Sequence, residues 1–275
     1  MDFTKSIFEY RQSLNRPLLV AHRGVCGANV PCNTMTAFQI ALDQGADVIE
    51  LDVARAKDGG LFVFHPGMEH VFLKSRCPIA EMESAEVESL YLLNQDSVKT
   101  SYKVPTFEEV LALLKGKVYI NVDKFWTDVE GITAAIRRAG VADQVIVKTY
   151  MDEKSLNDVR KFAPDLMFMP LVRGVDDVTD QLDGINLIGA ELLFKTEDDP
   201  CIQPEYIEEM HKRGLLVWAN SIIYNEADVI SAYHTDDISL KGYPEKGWGW
   251  LVDRGMDFIQ TDWLLMAKNY IENRK

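Results

Sequence analysis

Apolar positions along the chain fall into short, β-branched runs set between longer stretches whose apolar residues recur at helical spacing. The runs lie at 18–21, 47–53, 118–123, 145–149, 166–171, 187–192, 215–220 and 258–261, and each has the length of a buried strand. Between them, Asn33 is read as the cap of a helix running to Leu42, with Ala37, Phe38, Ala41 and Leu42 on its apolar face and Gly45 closing it. Thr106-Phe107-Glu108-Glu109 is a capping box opening a helix to Leu114. Further helical patterns occupy 129–138, 153–162 and 204–213. At the start, Phe3, Ile7, Phe8 and Leu14 predict a helix over 3–14, stopped by Asn15-Arg16-Pro17.

Eight strands alternating with helices predict a closed (β/α)8 TIM barrel, with the first helix covering its non-catalytic end. A doubly wound open sheet is disfavoured, because no Gly-x-Gly-x-x-Gly or P-loop follows any strand. The expected organisation is a single domain over 1–275, with an N-terminal helix in 1–17, a hairpin and irregular insertion over 54–104 after the second strand, and a long loop over 223–250 after the seventh. That loop carries Tyr233, Tyr243, Trp248 and Trp250, which are read either as a pocket wall or as loop packing.

The second run breaks the apolar rule. Glu50 and Asp52 sit two apart, so both carboxylates share one face of a buried strand, where an unpaired charge is costly and a cation is the common compensation. Asp58-Gly59 signals a turn before the apolar run Leu61 to Phe64. If the turn has two residues, Asp52 sits opposite His65. In a barrel, chemistry belongs at the C-terminal ends of the strands, and His22, Glu50, Asp52, Asp123, Lys148, Glu191, Trp218 and Asp262 all fall there or close by.

The 275 residues, 47% hydrophobic, can bury a large core. The formal net charge of −14 with no basic cluster argues against nucleic acid or an anionic membrane as main partner. No run reaches the roughly 18 apolar residues of a membrane span. With no secretory h-region at the N-terminus either, the expectation is a cytoplasmic protein without stable membrane insertion. Cys26, Cys32, Cys77 and Cys201 have no metal-finger spacing and are expected as free thiols.

Glu50, Asp52 and Asp123 offer hard oxygen ligands from adjacent strands, suited to Mg²⁺ or Ca²⁺. His22 and His65 would flank the ion, one removing a proton from a nucleophile and the other protonating a leaving oxygen. The Arg23 guanidinium fits a pair of phosphate oxygens. Cation, arginine and histidine pair together point to phosphodiester cleavage.

His22-Arg23-Gly24, Asn33-Thr34, Ile49-Glu50-Leu51-Asp52-Val53, Lys57-Asp58-Gly59, Val63-Phe64-His65, Trp218 with Asn220, and Thr261-Asp262 resemble the glycerophosphodiester phosphodiesterases over about residues 18–265. The resemblance implies a (β/α)8 barrel with an insertion after the second strand, and hydrolysis of small-molecule glycerophosphodiesters to an alcohol and glycerol 3-phosphate with a divalent cation. It implies His22 and His65 as the acid/base pair, Arg23 as phosphate ligand, Glu50, Asp52 and Asp123 as metal ligands, and Trp218 as a pocket wall.

Three positions depart from the family pattern. Cys32 stands where a glutamate usually precedes Asn33, and Pro66 where an aspartate usually follows His65. Phe125 takes the place of a lysine two residues past the strand-three acid; Lys124 comes one residue early and is expected to face away, leaving Lys148 as the substitute phosphate ligand. Two other functions fit parts of the pattern: a diverged, non-catalytic metal- and phosphate-binding barrel, and a Schiff-base lyase using Lys148. Mg²⁺ and Ca²⁺ both fit the acid set, and direct attack by water and attack by a substrate hydroxyl with a cyclic-phosphate product both fit the pattern.

Overall fold

The computed structural model describes residues 3, 6–174, 182–223 and 227–274. Strands β1 (Leu18–Ala21) and β2 (Val48–Arg55) are followed by β3 (Leu61–Val63), by β4 (Tyr91–Leu93) and β5 (Lys99–Lys103), and then by β6 (Tyr119–Asp123), β7 (Val145–Thr149), β8 (Met167–Val172), β9 (Gly189–Leu192), β10 (Leu216–Asn220) and β11 (Phe258–Thr261). Eight of these run parallel in the order β1-β11-β10-β9-β8-β7-β6-β2, and β2 pairs back onto β1, closing the barrel. The expected strands are all present, their ends shifted by a residue or two.

Two apolar cores explain the closure. One packs the outward strand faces against the helices, through residues such as Leu51, Val53, Phe38, Val110, Ile132 and Val159. The other fills the lumen with Leu18, Val20, Val48, Tyr119, Ile146, Met169, Leu216, Trp218 and Phe258. Alternation along each strand sends successive side chains to these two cores. Helix α1 (Ile7–Ser13), boxed by Ser6 and Glu9, lays Ile7 into the lumen cluster and so plugs the end from which the strands start. The expected helix over 3–14 is thus shorter, and its positions 4 and 5 lie outside the described residues.

Helix α2 (Met35–Asp43) is capped by Thr34, whose hydroxyl accepts from the Ala37 amide at 3.2 Å, and not by Asn33. Asn33 is left-handed, at φ 57°, and its amide turns to Asp52 instead.

The β2–β3 hairpin also differs from expectation. Val53 pairs with Val63 and Arg55 with Leu61, so Asp52 lies opposite Phe64, whose amide it accepts at 3.0 Å. The turn holds three residues, Lys57 to Gly59, closed by the Ala56 amide on the Gly60 carbonyl, with Gly59 at φ 96° taking the left-handed position. His65 follows the last paired residue.

The insertion after the hairpin is better ordered than its composition suggests. A helix at Ser84–Ser89 and the antiparallel pair β4–β5 gather Phe62, Phe64, Ile79, Met82, Val87, Leu92 and Val104 into a small core of their own. In the long loop, short helices form at Asp236–Leu240 and Trp248–Asp253, while 224–226 lie outside the described residues.

Candidate active site

The His22-Arg23-Gly24 turn owes its shape to one glycine. Gly24 sits at φ 79°, and a Cβ there would lie 2.8 Å from the Ala37 carbonyl carbon, so the turn can rest on α2 only without a side chain. Arg23 is left-handed too, at φ 55°, which brings its amide to Glu50 Oε2 at 2.9 Å and its Nε to Asp52 Oδ2 at 2.9 Å.

Parallel pairing places Asp52 beside Asp123 and Glu50 beside Asn121. One oxygen each of Glu50, Asp52 and Asp123 lie within 4.8 Å of one another, with Glu50 and Asp52 buried. The cost of this crowding is visible in the Glu50 carboxyl, which burial and then the Asp52 charge push up to about 7. Asp52 Oδ1 is buried with no hydrogen-bond partner among the described residues, facing Lys124 Nζ and His65 Nε2 at 3.9 Å each. A hard divalent cation fits this set: three carboxylates, one with an unmet oxygen, and no sulfur among them.

Lys124 does not face away. The strand ends at Asp123, and Lys124 adopts the left-handed conformation, φ 59° and ψ 19°, so the two-residue alternation stops there. Its Nζ returns to Asp123 Oδ2 at 2.8 Å and lies 5.1 Å from the Trp126 ring centroid. Burial would raise the Asp123 carboxyl, but the Lys124 charge and hydrogen bonds hold it below the usual range.

Lys148 is also in the site, inside the barrel. Its Nζ pairs with Glu191, lies 3.1 Å from the Trp218 ring centroid, and has its pKa lowered by burial. Asn220 bridges Glu191 Oε1 at 2.6 Å and the Trp218 indole N–H at 3.1 Å, closing the ring of contacts. Trp218 is fully buried and stacks on Phe258; it forms a floor under Lys148, and Asn220 takes the place in the cleft wall expected for it.

The two histidines are held oppositely. His22 Nδ1 meets Asp262 Oδ1 at 2.8 Å; burial would lower this imidazole's pKa, but the Asp262 bond and charge raise it. His65 Nδ1 lies 2.9 Å from the Pro66 carbonyl, which can only accept, so the proton sits on Nδ1. Pro66 thus supplies, through its backbone, the orienting partner its side chain lacks. His65 Nε2 is left buried without a hydrogen bond among the described residues, and burial lowers the imidazole's pKa.

His22, Arg23, Glu50, Asp123, Lys124 and Lys148 border a cleft of about 710 Å³, including the space at its mouth. The rest of its lining includes an apolar cluster of Leu171, Leu193, Ile222 and Ile230, the Arg173–Asp228 ion pair, and Trp126 and Tyr150 in ring contact at 4.7 Å. The sequence reading took Asn33 only as a helix cap, placed Glu191 and Asp262 at strand ends without a role, and gave none in the site to Lys124 or Asn220. Asp262 could have been found, since closing eight parallel strands puts Thr261 beside Ala21 and so the next residues side by side. Lys124 could not, because its direction depends on where the strand stops.

A family model described as the glycerophosphoryl diester phosphodiesterase family matches residues 22–262. A glycerophosphodiester phosphodiesterase of Caldanaerobacter subterraneus is 31% identical over 159 residues, covering 55% of this chain and 65% of the relative. One from Bacillus subtilis is 27% identical over 237 residues, covering 79% and 80%. Among solved structures, a glycerophosphoryl diester phosphodiesterase from Parabacteroides distasonis superposes with a TM-score of 0.75 at 19% identity, over 96% of this chain and 90% of its own. A phosphodiesterase from Oleispira antarctica, in complex with the product sn-glycerol-3-phosphate, gives 0.68 at 16% identity, over 98% and 100%.

Proposed function

Because the chain belongs to the glycerophosphoryl diester phosphodiesterase family, we propose that it hydrolyses glycerophosphodiesters to an alcohol and glycerol 3-phosphate at this cleft. The observation that carries the reading is the triangle of Glu50, Asp52 and Asp123 with two histidines held by different partners, His22 by Asp262 and His65 by the Pro66 carbonyl. The three acids would hold a divalent cation, Mg²⁺ or Ca²⁺, which when bound neutralises phosphate charge as the phosphorane-like transition state forms.

Arg23 at one edge, with Lys124 and Lys148 lining the cleft, would bind and orient the phosphate oxygens. His65, neutral and with Nε2 unshared, is the base that accepts a proton from water or from a free glycerol hydroxyl. His22, favoured as the cation by Asp262, is the acid that gives a proton to the departing alcohol oxygen. The apolar cluster of Leu171, Leu193, Ile222 and Ile230 would receive the alcohol side.

This is tested by glycerol 3-phosphate release from glycerophosphocholine and glycerophosphoethanolamine, with Mg²⁺, Ca²⁺, Mn²⁺ or EDTA, for wild type and His22→Ala. The expected result is cation-dependent release that falls about 10²- to 10⁴-fold in the variant. Cation binding without release from either substrate would favour the diverged, non-catalytic barrel. A cyclic phosphate seen by phosphorus NMR would identify the glycerol hydroxyl as nucleophile.

A further inference from the structure

The long loop after β10 contains a buried carboxylate that no part of the chemistry above uses. Asp236 opens the short helix Asp236–Leu240 and is 5% exposed. Its Oδ1 accepts from the Ser221 hydroxyl at 2.6 Å, the Trp248 indole N–H at 2.6 Å and the Thr261 hydroxyl at 2.7 Å, and its Oδ2 from the Asp262 amide at 2.8 Å. The Trp248 and Asp262 N–H groups can only donate, one to each oxygen, so both oxygens must accept, as a carboxylate does; burial opposes the charge and pushes the carboxyl up to about 6, and these hydrogen bonds pull it back. Ser221 follows the last residue of β10, Thr261 ends β11, and Trp248 belongs to the far end of the loop.

What this clamp holds is the seat of His22. The Thr261 carbonyl accepts the His22 amide at 3.1 Å, and the Asp262 carboxylate meets the His22 ring at 2.8 Å. Both the backbone and the imidazole of His22 therefore hang from residues 261 and 262, and Asp236 grips a group on each. The Asp262 side chain is itself 47% exposed, so packing restrains it less than it would a buried acid. The loop's indole and carboxylate supply that restraint from behind.

We infer that Asp236 is a positioning residue for the His22–Asp262 pair, fixing the segment 261–262 so that His22 keeps its proton on Nδ1 and presents Nε2 to the cleft. The inference rests on the proposed phosphodiesterase reading for its kinetic arm only. Asp236→Asn is isosteric but replaces one acceptor with an N–H₂ that must face a donor.

Three readouts test it. Nitrogen NMR of the histidine rings should show His22 protonated at Nδ1 in wild type, and a loss of that state in both Asp236→Asn and Asp262→Asn. In turnover, Asp236→Asn should lose about 10- to 100-fold in kcat with KM held within about threefold, as expected of a group displaced from its line of action. The double variant Asp236→Asn/Asp262→Asn should be no slower than Asp262→Asn alone, because the two act in series. If Asp236→Asn does not fold, Trp248→Phe removes one donor and leaves the carboxylate, and should show the same ring change at smaller amplitude. A wild-type ring signature in the folded variant, or losses that multiply in the double variant, would overturn the assignment. A silent wild-type enzyme with the expected ring signatures would instead count against the substrate reading and leave the positioning role supported.

Discussion

The two ends of this barrel both contain buried acids, and they treat them in opposite ways. At the end where the strands start, Asp47 accepts from the Leu19 amide at 2.8 Å and the Tyr10 hydroxyl at 2.7 Å and pairs with Arg16. Asp257 there accepts from the Val217 amide at 3.0 Å and meets Arg11 at 3.0 Å and His211 at 2.9 Å. Each acid has an amide and a cation, and each joins a strand start to α1 or its flank. At the other end, Glu50, Asp52 and Asp123 crowd together, the Glu50 carboxyl is driven up to about 7, and Asp52 Oδ1 and His65 Nε2 have no hydrogen bond among the described residues. Acids of the first kind hold a fold together. Acids of the second kind are held in place by the fold, and their unmet valence is available to a ligand.

The largest break in this contrast should come from Asp52→Asn. It is expected to abolish divalent-cation binding in calorimetry and to lower turnover by roughly 10³-fold, the several kcal/mol a coordinated cation contributes, with EDTA reproducing the loss in wild type. Retained cation affinity would refute the ligand set.

The two site lysines sharpen it next. Lys148→Met strands Glu191 in the lumen and should destabilise by about 3–5 kcal/mol in denaturant melts. Lys124→Met, whose partner Asp123 borders the cleft, should change stability by less than about 1 kcal/mol while lowering activity. Equal melts for the two would mean that the interior lysine is not a structural ion pair.

The smallest effect belongs to the plugged end. The hydrogen bond to Asp257 raises the His211 pKa above its usual value, with burial opposing and the Asp257 charge assisting. A raised histidine stabilises the fold fully below its unfolded pKa, near 6.5, and that contribution fades as pH rises through the folded value. Tm should therefore fall by about a degree or two between roughly pH 6 and 8 from this group, screened because the ring is partly exposed. His211→Gln should remove that component without altering kcat, and an unchanged slope would show the pair to be inert.

Much of the catalytic end was legible without coordinates, and at the other end only the covering helix was. The acid pair at Glu50 and Asp52 stands out because it interrupts a buried strand, and the helix-plus-eight-strand arithmetic places it at the catalytic end. The departures at Cys32, Pro66 and Phe125 were legible as departures. Their consequences were not: the Pro66 carbonyl orients His65, and Lys124 turns in from beside Phe125.

Sequence alone determined the period of each element, the barrel class and the facing of Glu50, Asp52 and Asp123, because alternation along a strand is a local property that burial of one face enforces. Tertiary structure alone decided the one-residue register of the β2–β3 hairpin, the inward turn of Lys124, the use of Asn33 as a partner for Asp52 instead of a cap, and the grip of Asp236 on Thr261 and Asp262. Each of these lies where a strand or helix ends. There the backbone leaves its repeating conformation, and the direction of a side chain is set by whichever distant donor or acceptor the closed barrel brings within reach.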